Sequence, residues 1–341
     1  MLKALHNNTG RGSNSFWQQL SVMQDWVEND WNPEEKQGKL FKRIKLADFI
    51  ASASDRGAIG SIASSVNYNQ NGLEIKHLLS GATLPFKISQ HDALISNRLE
   101  YLDNIENQLV DSIPESIRSD VKQVFWWLWR CLPQKVFEEF DDEKLMLVPA
   151  ETRFPDSSIW NHASITAALA GALTGYDATE DDLERWKSRK EVSHPYLVSF
   201  TFTPVQELIK ASRKMRDFWA GSWILHYISA KICFDLALKY GPDCFIYPSL
   251  FQQPLIDHWL RQKYPDLGVN QPSSRDLLTA GFPNVIVMIL PKDKVEAAMQ
   301  MAEQTLKAAW QSLGDLAFEE LKNRHWMKDL DKQSKVWDDW L

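Results

Sequence analysis

The chain has 341 residues, 44% hydrophobic and 24% charged, with a formal net charge of −7. That is length enough for two domains and the composition of a globular protein. The negative balance excludes a protein that coats nucleic acid over its whole surface, but leaves local basic patches open. Fifteen tryptophans point to thick aromatic cores, or to platforms for bases or partner proteins.

Cys131, Cys233 and Cys244 lack metal-ligand spacing and fit reduced thiols in a cytoplasmic protein. Met1 to His6 lacks the apolar core of a signal peptide. The longest apolar runs, such as Val285 to Leu290, fall far short of the ~20 residues that span a bilayer. The sequence therefore predicts a cytoplasmic location and no membrane partner.

In chain order, residues 7–15 read as a turn-rich loop, with no Gly-Lys-Ser/Thr to make it a phosphate cradle. Phe16 to Trp31 reads as a short amphipathic helix broken by Asn32-Pro33. Lys39 to Ser54 has apolar residues at helical spacing and ends at Asp55-Arg56-Gly57. Asp55, at that end, is either a metal ligand or a partner of Arg56. Residues 57–90 read as a long loop or short strands. His91-Asp92 is the residue pair of one class of metal-dependent phosphohydrolase, though a surface pair near a helix start explains it as simply. A helix follows over Ala93 to Leu109.

Val121 to Phe140 contains Phe125-Trp126-Trp127-Leu128-Trp129. Consecutive aromatics cannot share one helix face, so the element is either buried all round or docks a partner, and a core element is the simpler reading. Met146 to Pro155 reads as extended. Asp156 is placed to cap an Ala-rich helix running to Leu173, and the six-residue spacing of Asp156 and His162 could bring both to one pocket. Residues 174–195 form a charged, apolar-poor connector, the predicted domain boundary.

The second half reads βα, then β, then βα. Tyr196, Val198, Phe200 and Phe202 alternate with Leu197, Ser199 and Thr201 as in a strand. Thr203-Pro204 stops it, with Thr203 available as a cap and Pro204 suited to a first helical turn. From Val205 to Tyr240 one long helix is expected, its first half carrying Lys210, Arg213, Lys214 and Arg216, until Gly241-Pro242-Asp243 ends it. Cys244 to Tyr247 is extended, and Leu255 to Leu260 is a short helix. Val285 to Leu290 is a continuous apolar run typical of a central strand, and a helix follows from Pro291 to about Trp326. The order is most of a ferredoxin-like βαββαβ unit, with no final strand evident before Leu341.

Two stretches resemble the large signature, polymerase/cyclase-like subunit of type III CRISPR effector complexes, especially its Cmr-type branch. Phe202-Thr-Pro-Val-Gln-Glu-Leu-Ile209 with Ala211-Ser-Arg-Lys-Met-Arg-Asp-Phe-Trp-Ala-Gly-Ser222 is similar to the signature in which a Pro-Val-Gln-Glu turn opens the helix of the first palm. Thr152-Arg-Phe-Pro-Asp-Ser-Ser-Ile-Trp-Asn-His162 is similar to the segment that closes the family's HD-type helical domain. Ala51 to Arg56, Gln253 to Asp257 and Phe282-Pro-Asn284 fit in the expected order, so the resemblance spans roughly residues 1–340.

The resemblance implies an α+β chain: a mainly helical HD-like domain over 1–175, a linker over 176–195, and an incomplete ferredoxin-like palm over 196–341. Complete family members continue into a second palm, whose Gly-Gly-Asp-Asp motif makes cyclic oligoadenylate from ATP when target RNA is bound. No Gly-Gly-Asp-Asp occurs here, so the chain looks like an N-terminal piece, or a split or reduced homologue, without cyclase chemistry of its own. The HD site also departs from the pattern. Met1-Leu-Lys-Ala-Leu5 looks like the end of a His-Asp-Pro motif with the His-Asp missing. Ser157 and Asn161 stand where the family often has His and Asp, and His91-Asp92 lies in the wrong place to substitute.

Asp55, Asp156 and His162 remain as the catalytic and metal-ligand candidates, for Mg, Mn or Ni, and only if the HD site is intact. Single-stranded DNA cleavage is expected to be absent or marginal. The family also places an ATP where the two palms meet, near the start of the long helix. That makes Gln206, Arg213 and Arg216 nucleotide-contact candidates, with salt bridges on a solvated face as the alternative for the two arginines. Trp219, Trp223 and Tyr227 recur every four residues and read as a core stripe, with a base-stacking platform as the alternative. The implied partners are other type III subunits, guide RNA, target RNA and ATP. The competing functions are a structural scaffold of that complex and a stand-alone HD-type phosphohydrolase.

Overall fold

The computed structural model describes residues 20–22, 38–56, 70, 74–87, 92, 96–150, 157–177 and 193–324. The loop expected at 7–15, most of the helix expected at 16–31, His91, Asp156 and most of the connector lie outside them. The described residues divide into two compact units. One takes those up to Tyr196 together with Asp257–Gln271 and Ile289–Lys292; the other takes Leu197–Ile256, Pro272–Met288 and those from Asp293 onward. The whole is α+β, helix-rich, with small sheets.

In the first unit, helix α1 (Gly38–Arg56) packs on a later helix, Ile159–Thr174. The shared core is Ala47 and Ala51 against Ala168, Leu169 and Ala172. These small side chains let two helix axes approach closely while still removing apolar surface from water. The expected loop or short strands of 57–90 include a hairpin, β1 (Glu74–Lys76) with β2 (Thr83–Pro85). Helix α2 (Arg98–Asp111) follows.

The helix expected over Val121 to Phe140 is two: α3 (Val121–Arg130) and α4 (Leu132–Phe140). Pro133 cannot supply an amide to the preceding turn, so the chain restarts there. Asp120 caps α3, its Oδ1 accepting from the amides of Lys122 at 2.9 Å and Gln123 at 3.0 Å. Trp126, Trp127, Leu128 and Trp129 are all buried, as an all-round apolar helix requires. The Ala-rich helix is α5 (Ile159–Thr174). Its cap is Ser158, whose hydroxyl accepts from the Asn161 amide at 3.2 Å.

A three-stranded sheet has the order β3 (Pro195–Thr201), β5 (Val285–Pro291), β4 (Phe245–Tyr247). The apolar run of β5 is the middle strand, pairing antiparallel with β4 through Phe245 with Met288 and Tyr247 with Val287. The expected single helix after β3 is broken into α6 (Val205–Lys210) and α7 (Met215–Tyr240). No proline or glycine marks the break, so periodicity ran the two together; Lys214 is extended, with φ −134°. Pro204 holds the cap position of α6 with no side-chain cap, so Thr203 does not serve as one. Helices α8 (Pro254–Lys263) and α9 (Ser274–Leu277) intervene before α10 (Val295–Asn323), which packs along α7.

Candidate functional site

The α6–α7 region is built outward from the buried half of α7. His226, one of its buried residues, points Nδ1 at the start of the Phe282-Pro283-Asn284 turn. That nitrogen accepts from the amides of Gly281 at 3.0 Å and Phe282 at 2.9 Å. Burial pushes the His226 pKa down to about 4, keeping the ring neutral and Nδ1 an acceptor. One turn earlier, the Trp223 indole N–H donates to the Leu277 carbonyl at 3.1 Å. Asn284 Nδ2 then donates to the Phe202 carbonyl at 3.2 Å. Two segments singled out separately in the sequence, Phe202 onward and Phe282 to Asn284, thus meet where β3 gives way to α6.

Gln206 lies on α6, Arg213 between the two helices and Arg216 in the first turn of α7; all three are exposed. The salt-bridge alternative for the two arginines does not hold: neither has an acidic partner among the described residues. The core reading of the Trp219–Trp223–Tyr227 stripe holds only in part. Trp223 and Tyr227 stack with centroids 5.4 Å apart, but Trp219 is exposed, because burial on α7 begins only at Gly221. A groove of about 380 Å³ runs between α7 and α10, lined by Tyr227, Lys231, Asp235 and Thr305 among others; Gln206, Arg213 and Arg216 do not line it.

In the helical unit, Asp55 lies in the last turn of α1, inside the helix and not beyond its end. Its side chain and all of Asp156 lie outside the described residues. His162 meets a carboxylate the sequence reading passed over: its Nε2 lies 3.1 Å from Oδ1 of Asp48 on α1. Asp48 carries no local signal, since its partner is 114 positions away. Asn161 Nδ2 donates to Ser157 Oγ at 3.0 Å, so two positions where the resemblance expects ligands pair with each other. No group of three or more metal-binding side chains occurs among the described residues.

Residues 197–315 match the family model described as CRISPR-associated protein Cmr2, N-terminal. Over that segment the chain is similar to the N-terminal part of Cmr2. The Cmr2 subunit of the CRISPR system Cmr of Pyrococcus furiosus is 30% identical over 227 residues, a match covering 60% of this chain and 23% of that protein. That of Saccharolobus solfataricus is 25% identical over 218 residues, covering 61% of this chain and 18% of that protein. The match therefore spans less than a quarter of either Cmr2 relative. A chain of a type III-B Cmr-beta complex, solved by cryo-EM in the apo state, shares the fold at TM-score 0.50 and 21% identity. That alignment covers 82% of this chain and 28% of that one. No described helix is long and apolar enough to cross a membrane.

Proposed function

We propose that the chain forms the N-terminal part of the large subunit of a type III CRISPR RNA-guided effector complex, cytoplasmic, with a nucleotide-binding palm and no cyclase or HD nuclease activity of its own. The observation that carries this reading is the Cmr2 match over 197–315, which coincides with β3, α6, α7, β5 and most of α10. A ferredoxin-like palm is supported by the sheet order: the first strand of the unit, then the third, then the second, with α7 and α10 packed together. The HD-like character of 1–175 and the boundary at 176–195 belong to the same proposal.

ATP fits the α6–α7 region in charge. Arg213 and Arg216 offer guanidinium forks for its phosphates and Gln206 an amide. Bound there, ATP would supply an activated phosphoanhydride. This chain's residues would hold and orient it, since the acids of the Gly-Gly-Asp-Asp motif are absent from the sequence. The partners are then other Cmr-type subunits, guide RNA and target RNA. Tagged chain co-expressed with type III subunits and guide RNA is expected to purify as one assembly containing that RNA. Elution as a lone chain, with the other subunits assembled without it, would contradict the proposal. Robust manganese- or nickel-dependent cleavage of single-stranded DNA, abolished by His162→Ala, would overturn the nuclease part.

A further inference from the structure

We infer that the exposed start of α7 is a docking face for a single strand of nucleic acid; this rests on the palm reading above and extends it from one nucleotide to a chain of them. Met215, Phe218 and Trp219 stand at positions i, i+3 and i+4, hence on one helix face. They are 82%, 49% and 46% exposed. Three large apolar side chains in two adjacent turns, left open to water, mark a surface that something covers. Close to them in the chain stand Lys210, Arg213, Lys214 and Arg216, all exposed and none with a side-chain hydrogen bond or ion pair among the described residues. The same stretch carries only Glu207 and Asp217 as carboxylates, so it is locally basic within a chain of net charge −7.

Unpaired cations beside uncovered aromatic rings suit a polyanion whose own flat groups are exposed. Phosphates meet the guanidinium and ammonium groups, while bases stack on Trp219 and Phe218. A duplex hides its base faces and satisfies only the cations. A mononucleotide cannot cover the four cations together with three apolar side chains.

Fluorescence anisotropy of the full chain with labelled oligouridylate and oligothymidylate of about 20 nucleotides tests this, from about 50 to about 200 mM salt. Binding of at least one strand is expected, with preference between the two naming the polymer. Trp219→Ala should weaken binding about tenfold without changing the salt slope. The triple variant Arg213→Gln, Lys214→Gln, Arg216→Gln should flatten the plot of log K against log salt by about two, at about 0.7 per lost contact. Both changes lie on exposed side chains, and circular dichroism checks that the fold persists. No binding at about 50 mM salt, binding indifferent to both changes, or equal binding of a duplex would overturn the inference. If the chain nevertheless assembles with type III subunits, the subunit reading stands and only this face is lost.

Discussion

His226 shows how one buried side chain ties stability to pH. With Nδ1 accepting two amide protons, the ring must stay neutral, and its folded pKa is about 4 against an ordinary 6.5. As pH falls, the unfolded chain takes up a proton first. The His226 contribution is therefore full above about pH 6.5 and lost as pH falls through about 4. Asp243 has the opposite sign. Burial raises its carboxyl from 3.8 to about 7, so its contribution is full below about pH 3.8 and lost as pH rises through about 7. Urea midpoints across this range should show the acid-side loss shrinking in His226→Gln and the opposing trend shrinking in Asp243→Asn; parallel profiles for wild type and both variants would refute the assignment. Asp257 contributes instead through a buried ion pair. Its carboxylate accepts from the buried Arg130 guanidinium at 2.7 and 2.6 Å. Leaving that cation unpaired should cost about 3–5 kcal/mol, so Asp257→Ala should unfold at much lower denaturant than wild type. The sequence singled out Asp257 only as part of a resemblance, because its partner stands 127 positions upstream. Asp48 was missed for the same reason. Local patterns reveal periodicity and caps, and long-range pairs leave no mark in them.

At the scale of elements, the long helices and the central strand could be read because their patterns are long and strong. The β5 run and the α10 pattern come within a few residues of the observed Val285–Pro291 and Val295–Asn323. The end of α7 was signalled by Gly241-Pro242, and the reason is conformational: Gly241 has φ +100° and closes the helix with its amide on the Ala237 carbonyl at 2.9 Å. A side chain there is strained, so Gly241→Ala should destabilise by about 1–3 kcal/mol, seen as a lowered thermal midpoint. An unchanged midpoint would show that the turn relaxes. What escaped the pattern were interruptions. Pro133 splits α3 from α4 although both halves keep helical periodicity, and the 211–214 break between α6 and α7 has no breaker residue at all. That break matters for the site, because Arg213 lies within it and the exposed residues Met215, Phe218 and Trp219 follow directly after it.

For the whole molecule, the resemblance was legible because the Phe202 to Ser222 stretch and the Phe282-Pro-Asn284 turn both fall within residues 197–315, where the Cmr2 N-terminal model matches. They are joined through the Asn284–Phe202 bond and the His226 amide contacts. Residues 1–175 were less legible, since any metal site there would depend on side chains converging from distant helices. The central claim is that this chain carries a palm that holds a nucleotide while the reactive acids come from elsewhere. Calorimetric titration of magnesium ATP into the chain, alone and mixed with a partner chain bearing Gly-Gly-Asp-Asp, tests it most directly. The account predicts ATP binding in the mixture that is weakened at least tenfold, or about 1.4 kcal/mol, by Arg213→Gln with Arg216→Gln. Absence of ATP binding both alone and with that partner would contradict it and leave a purely structural subunit.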